Sequence, residues 1–136
     1  MKMRRAFQLP EEDEEALAAR GLRWEAIIEG NTRWLMILGY PIPDGYNCTV
    51  ADTALRMPPS YPDDQIDMVY FSPALTLRSG RGIAALSTVT IDGRQFQQWS
   101  RHRTKQNPWR IGLDNVGTHL LQVDTWLERE LRKAAA

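Results

Sequence analysis

The chain carries a single cysteine among 136 residues, Cys48, so no disulfide can close within it and a reducing compartment, the cytoplasm, is expected. It has no excess charge of either sign. Seventeen basic and seventeen acidic side chains cancel, which removes the overall field that draws proteins to nucleic acid or acidic membranes. No stretch approaches the roughly 20 apolar residues of a membrane span, and the basic start Met1-Lys2-Met3-Arg4-Arg5 lacks the apolar run of a signal peptide. Only two histidines are present, neither with a cysteine, histidine or acid at zinc-ligand spacing, so no metal and no cofactor are expected. Repeats, linkers and low-complexity tracts are lacking too, and residues 1–136 read as one domain with frayed termini.

What is present is a clear order of elements. Pro10 at a first helical position, the acids Glu11 to Glu15 and the closing Arg20-Gly21 predict a short helix whose carboxylates complement the dipole on a solvated face. Trp24, Ala26 and Ile28 then alternate with charged residues up to Gly30-Asn31, and Thr32 to Leu38 follows, apolar on both faces, which predicts a β-hairpin ended by Gly39. A third strand is drawn from Thr49 to Met57 and a fourth from Ile66 to Phe71, stopped by Ser72-Pro73. Residues 74–86, with Ser79-Gly80-Arg81-Gly82, read as a mobile loop. Asp92-Gly93 between Ser87–Ile91 and Arg94–Trp99 predicts a second hairpin with a type I′ turn. From Asn115 to Arg132, Val116, Leu120, Leu121, Val123, Leu127 and Leu131 recur at helical spacing with Trp126 beside them, and Asp114 is placed as the N-cap.

Between the third and fourth strands stands Pro58-Pro59-Ser60-Tyr61-Pro62. Its three prolines remove three backbone donors and fix φ, so it is a rigid connector. Helix, four-strand meander, this turn, an irregular segment and a last helix resemble the layout of ubiquitin-conjugating (UBC) folds. The class expected is therefore α+β, with an N-terminal helix, a four-stranded antiparallel meander, an extra hairpin and a C-terminal helix. From Glu11 to Leu131 the chain looks more particularly like the prokaryotic UBC-like family designated E, on Pro59-x-Tyr61-Pro62, Trp99-Ser100-Arg101-His102 and Trp109-Arg110-x-Gly112-x-Asp114. That resemblance implies a place in bacterial ubiquitin-like modification systems. The partners it implies are a ubiquitin-like protein and a ThiF-type activating enzyme.

Standard conjugating enzymes carry a His-Pro-Asn turn and then a hairpin whose glycine is followed, three residues on, by the thioester cysteine. With Asp92-Gly93 as that hairpin, Phe96 or Gln97 takes the cysteine's place, and Ser72-Pro73-Ala74-Leu75 stands where the His-Pro-Asn turn would be. Neither Phe96 nor Gln97 can form a thioester. The expectation is a UBC-like component that binds the ubiquitin-like protein, its activating enzyme or both, without the usual catalytic cysteine.

Two alternatives stay open. An active enzyme could use Cys48, although its turn lies away from the usual catalytic surface in a UBC layout, or an oxygen nucleophile at Ser100 with His102 as base, provided that stretch is extended so that residues two apart share a face. A nucleic-acid-binding domain could use Arg94 to Arg110, which holds five cations, no acid, and both Trp99 and Trp109. Neutral net charge disfavours that version, and a protein partner touching Trp99, Arg101, His102, Trp109 and Arg110 is the better reading. His119 is expected as a partly buried, satisfied histidine on the last helix.

Overall fold

The computed structural model describes residues 2–135; Met1 and Ala136, the ends of the expected domain, lie outside the described residues. Helix α1 (Glu11–Ala19) precedes strands β1 (Arg23–Glu29), β2 (Thr32–Pro41), β3 (Val50–Met57), β4 (Val69–Ser72), β5 (Leu86–Ile91) and β6 (Arg94–Trp99), and α2 (Val116–Ala135) closes the chain. The strands form one antiparallel sheet in the order β1-β2-β3-β4-β6-β5, so the second hairpin extends the meander through β6 rather than standing apart from it. This is the α+β arrangement expected of a UBC-like fold.

Several boundaries differ from expectation, each for a local reason. β2 does not end at Gly39. It continues to Pro41 through a bulge between Ile37 and Tyr40, where Gly39 takes φ 64° and donates its N–H to Asp52 Oδ1 at 2.9 Å. β4 begins only at Val69 because Met68 sits at φ 61°, its N–H bonded to the Arg101 carbonyl and its own carbonyl to His119 Nε2. The β5–β6 turn is as expected, with Asp92 at φ 53° and Gly93 at φ 73°.

Each face of the sheet has its own core. Both helices cover one face, where Leu17, Leu35, Ile37, Leu55, Phe71, Trp99, Leu120 and Val123 pack together. Among the described residues no helix covers the opposite face, yet Ile27, Trp34, Met36, Tyr70, Ile91 and Phe96 are buried there. The sheet curls until the turn between β5 and β6 meets β1. The Asp92 N–H, in the turn at one end, donates to Glu29 of β1 at 2.9 Å, and Arg4 bridges Asp92 to Glu25 of β1. Strand twist accumulated over six strands makes that closure possible.

The proline turn joins both helices. Tyr61 Oη donates to Asp13 Oδ2 at 2.6 Å and accepts the Val116 N–H at 2.9 Å, so α1, the turn and the start of α2 share one polar knot. Asp13 is accordingly buried, unlike the solvated acids expected around it. The N-cap of α2 is Asn115 and not Asp114: Asn115 Oδ1 accepts the Thr118 N–H, and Thr118 Oγ1 accepts the Asn115 N–H. Residues 74–86 are anchored in their first half, with Leu75 and Leu77 in the core.

Candidate functional site

The position expected of the thioester cysteine lies on β6. Phe96 is buried in the second core. Gln97 points to the helix side, where its carboxamide makes three hydrogen bonds: Oε1 accepts the Leu75 N–H and Trp99 Nε1–H, both at 2.9 Å, and Nε2 donates to the Leu75 carbonyl at 3.0 Å. Gln97 thus fastens the segment that leaves β4 to the neighbouring strand. In the layout expected from the sequence that segment stands where a His-Pro-Asn turn would be, and a side-chain clamp holds it.

The remaining nucleophile candidates are not assembled into a site. Ser100 follows the last β6 residue and accepts from Gln98 Nε2 at 3.3 Å, while His102 Nδ1 lies 2.9 Å from Asp67 Oδ2; no hydrogen bond joins Ser100 to His102 among the described residues. Asp67, 35 residues away in sequence, is a partner the sequence did not reveal. Cys48 is half-buried against the main core, and burial pushes its thiol up, away from the reactive thiolate. Its turn is not remote, however. Asn47 Nδ2 donates to the Ala74 carbonyl, and Asn47 Oδ1 accepts the Thr76 N–H at 2.9 Å, so the Cys48 turn lies along the segment leaving β4, contrary to the expected separation.

The basic, tryptophan-bearing segment is drawn inward. Trp99 has no exposed surface; its ring packs edge-on to Phe71, with centroids 5.4 Å apart, and cannot touch a partner. Arg101 lies over that ring, donates to the Ala84 carbonyl and pairs with Glu130 at 3.6 Å, so it too serves the interior. Arg103 is nearly buried beside Asp114 at 3.9 Å and covers Trp109. Burial raises the Asp114 carboxyl, but the Arg110 N–H, the Thr118 hydroxyl and the Arg110 and Arg103 guanidiniums outweigh it and hold the group below the usual range. Arg94 pairs with Asp52 at 2.9 Å. His119, fully buried, donates Nε2–H to the Met68 carbonyl; burial pushes it down to about 4, and its Nδ1 meets no partner among the described residues, so it is less satisfied than expected.

What stays accessible is a smaller surface on the same segment. His102 is exposed, Arg110 is 60% exposed even while paired with Asp114, and Trp109 is half-buried, its ring near Tyr61 and its Nε1–H donating to the Pro62 carbonyl. Ile111 and Leu113, 70% and 62% exposed, flank Gly112, and Leu121 of α2 is 63% exposed. The Asn107 to Gln122 hydrogen bond ties this segment to α2 beside Leu121. Apolar residues in a glycine turn ahead of a helix were the signal for this patch in the sequence, and the expected contact set passed over them. Among the described residues no helix is long and apolar enough to cross a membrane, and no three His, Cys, Asp or Glu residues gather as a metal site.

A family model described as "Prokaryotic E2 family E" matches residues 9–130. No curated protein and no solved structure matches the chain.

Proposed function

The chain belongs to prokaryotic E2 family E, and from that premise we propose that it serves in the cytoplasm as a UBC-like component of a bacterial ubiquitin-like conjugation pathway, binding the ubiquitin-like protein or its ThiF-type activating enzyme without carrying the thioester. The observation that carries this reading is how the cysteine's position is filled. Phe96 is packed into a core, and Gln97 is held by three hydrogen bonds, so that place on β6 has neither a nucleophile nor room for one. The partner-facing surface is taken to be His102, Trp109 and Arg110 with Ile111 and Leu113. Exposed apolar residues beside tryptophan and arginine are the composition of binding hot spots. A protein partner is preferred to nucleic acid because Arg94, Arg101, Arg103 and Arg110 are all paired with carboxylates of the chain itself.

One observation favours a second reading, an active enzyme using Cys48: the hydrogen bonds of Asn47 bring the Cys48 turn against Ala74 and Thr76. Intact-protein mass spectrometry separates the two. The protein is incubated with a candidate ubiquitin-like protein, activating enzyme and ATP, with and without reductant. Complex formation with no covalent adduct is expected. A reductant-labile adduct that disappears in Cys48→Ser would install the second reading, and one cleaved by hydroxylamine and lost in Ser100→Ala would point to the oxygen nucleophile.

A further inference from the structure

The two edges of the sheet are finished differently. At β1 the chain covers its own edge: the Ala26 N–H donates to the Arg4 carbonyl at 2.9 Å and the Ala6 N–H to the Ala26 carbonyl at 2.8 Å. At the other end, among the described residues, β5 pairs with β6 alone. Its register starts at Ile91↔Arg94 beside a two-residue turn, which makes Ile91, Val89 and Ser87 the residues whose backbone groups face β6. The Ser100 N–H bonded to the Ala85 carbonyl continues the same phase. The N–H and C=O groups of Leu86, Thr88 and Thr90 therefore point away from the sheet, and no backbone group meets them among the described residues.

Natural proteins blunt a bare edge with lysine, proline, charge or a bulge. β5 has none of these: Leu86-Ser87-Thr88-Val89-Thr90-Ile91 is uncharged and keeps an unbroken register with β6. Beside it lies a cavity of about 460 Å³, walled on the strand side by Leu86 and Thr88 and on the other by Pro73 and Ala74, with no charged residue in its lining. Leu86 and Thr88 lie opposite Trp99 and Gln97, so their side chains share the helix-side face of the sheet. The carboxamide of Gln97, also in the lining, spends three of its four hydrogen-bonding positions on Leu75 and Trp99, and it carries no charge.

We propose that β5 is a docking edge to which an extended, uncharged segment of the ubiquitin-like partner adds as a seventh strand, its alternate side chains entering the cavity bounded by Leu86, Thr88, Pro73 and Ala74. The identity of the partner rests on the reading under Proposed function; the edge geometry does not. Backbone pairing supplies the affinity, and the neutral cavity selects small uncharged side chains. A second copy of this chain, pairing through its own β5, is the competing occupant.

The test uses the whole protein with two probes: a candidate ubiquitin-like protein, and a capped eight-residue peptide of that protein's uncharged extended segment, with a copy N-methylated at alternate residues as control. Hydrogen exchange at the Leu86, Thr88 and Thr90 amides is the readout, with affinities for wild type, Thr88→Pro and Thr90→Lys. Thr88→Pro deletes an outward N–H and alters the Thr88 wall of the cavity, and Thr90→Lys adds a charge to the edge without touching the backbone. The proposal expects protection of those three amides by protein and peptide, none by the N-methylated copy, and at least a tenfold loss of affinity in both variants. Unchanged binding of the ubiquitin-like protein to both variants, with β5 unprotected, overturns the docking edge and leaves the pathway reading standing. Peptide addition at β5 without any binding of the intact ubiquitin-like protein supports the edge and overturns the pathway reading. Protection that grows with protein concentration in the absence of either probe overturns the proposal in favour of self-association.

Discussion

The Tyr61 hydroxyl donates to Asp13 at 2.6 Å, and the two side chains together receive the first amide of α2, that of Val116. A tyrosine in the proline turn thus fixes how both helices meet the sheet. Burial raises the Asp13 carboxyl, and the Tyr61 and Val116 bonds oppose that rise. Tyr61→Phe should destabilise the fold by about 1–3 kcal/mol, since a buried carboxylate loses one of its two donors. The variant's Asp13 should titrate still higher when folded. A raised folded pKa means stability lost as pH climbs through it, so the deficit should be larger at pH 7 than at pH 3 in urea unfolding.

Arg4 holds the curled sheet shut. It donates to Glu25 and to Asp92, and hydrogen bonds to that guanidinium hold both carboxyls below their usual values. Carboxyls lowered on folding contribute stability that is complete above their ordinary values of 4.5 and 3.8 and lost as pH falls through the folded ones. Arg4 is half exposed, which limits the effect by solvent screening. Arg4→Met is expected to cost about 1–2 kcal/mol at pH 7 and progressively less toward pH 3, measured as the difference in urea midpoints.

Cys48 should be a sluggish thiol. Burial raises its pKa, so its reaction with a neutral aromatic disulfide at pH 7.5 should run on the order of tenfold slower than that of free cysteine, approaching the free rate in denaturant. A native rate at or above the free rate would contradict a buried, inert thiol.

The apolar turn around Gly112 offers a clean test of the binding surface. Ile111 and Leu113 are both mostly exposed, so replacing the two with Ser should leave the melting temperature within about 2 °C of wild type. Affinity for the ubiquitin-like protein or activating enzyme should fall on the order of 10–100-fold by calorimetry. Equal affinity would move the partner to another face.

Much of this architecture is local and therefore legible in the chain. Asp92-Gly93 announces its hairpin because both residues tolerate positive φ, the prolines around Tyr61 exclude regular structure, and the 3.6-residue spacing from Val116 onward marks a helix with one apolar side. Capping was legible only to within a residue, since Asp114 and Asn115 are both good caps and only the Thr118 bonds distinguish them.

The order of elements, the turn chemistry and the want of a cysteine on β6 can all be read along the chain, because each rests on neighbouring residues. Tertiary structure decided which way the chemistry faces. Period two tells that a strand has two faces but not what covers each, and curling of the sheet buries Phe96 on the side without helices. Trp99 and Arg101 look like a binding surface from composition, yet the pairing of β6 with β4 sends Trp99 into the core, and Arg101 follows toward Glu130. His102 meets Asp67, and Asn47 meets Thr76, only because segments 35 and 29 residues apart are brought together by the sheet. Such contacts depend on long-range packing, for which neighbouring residues carry no signal.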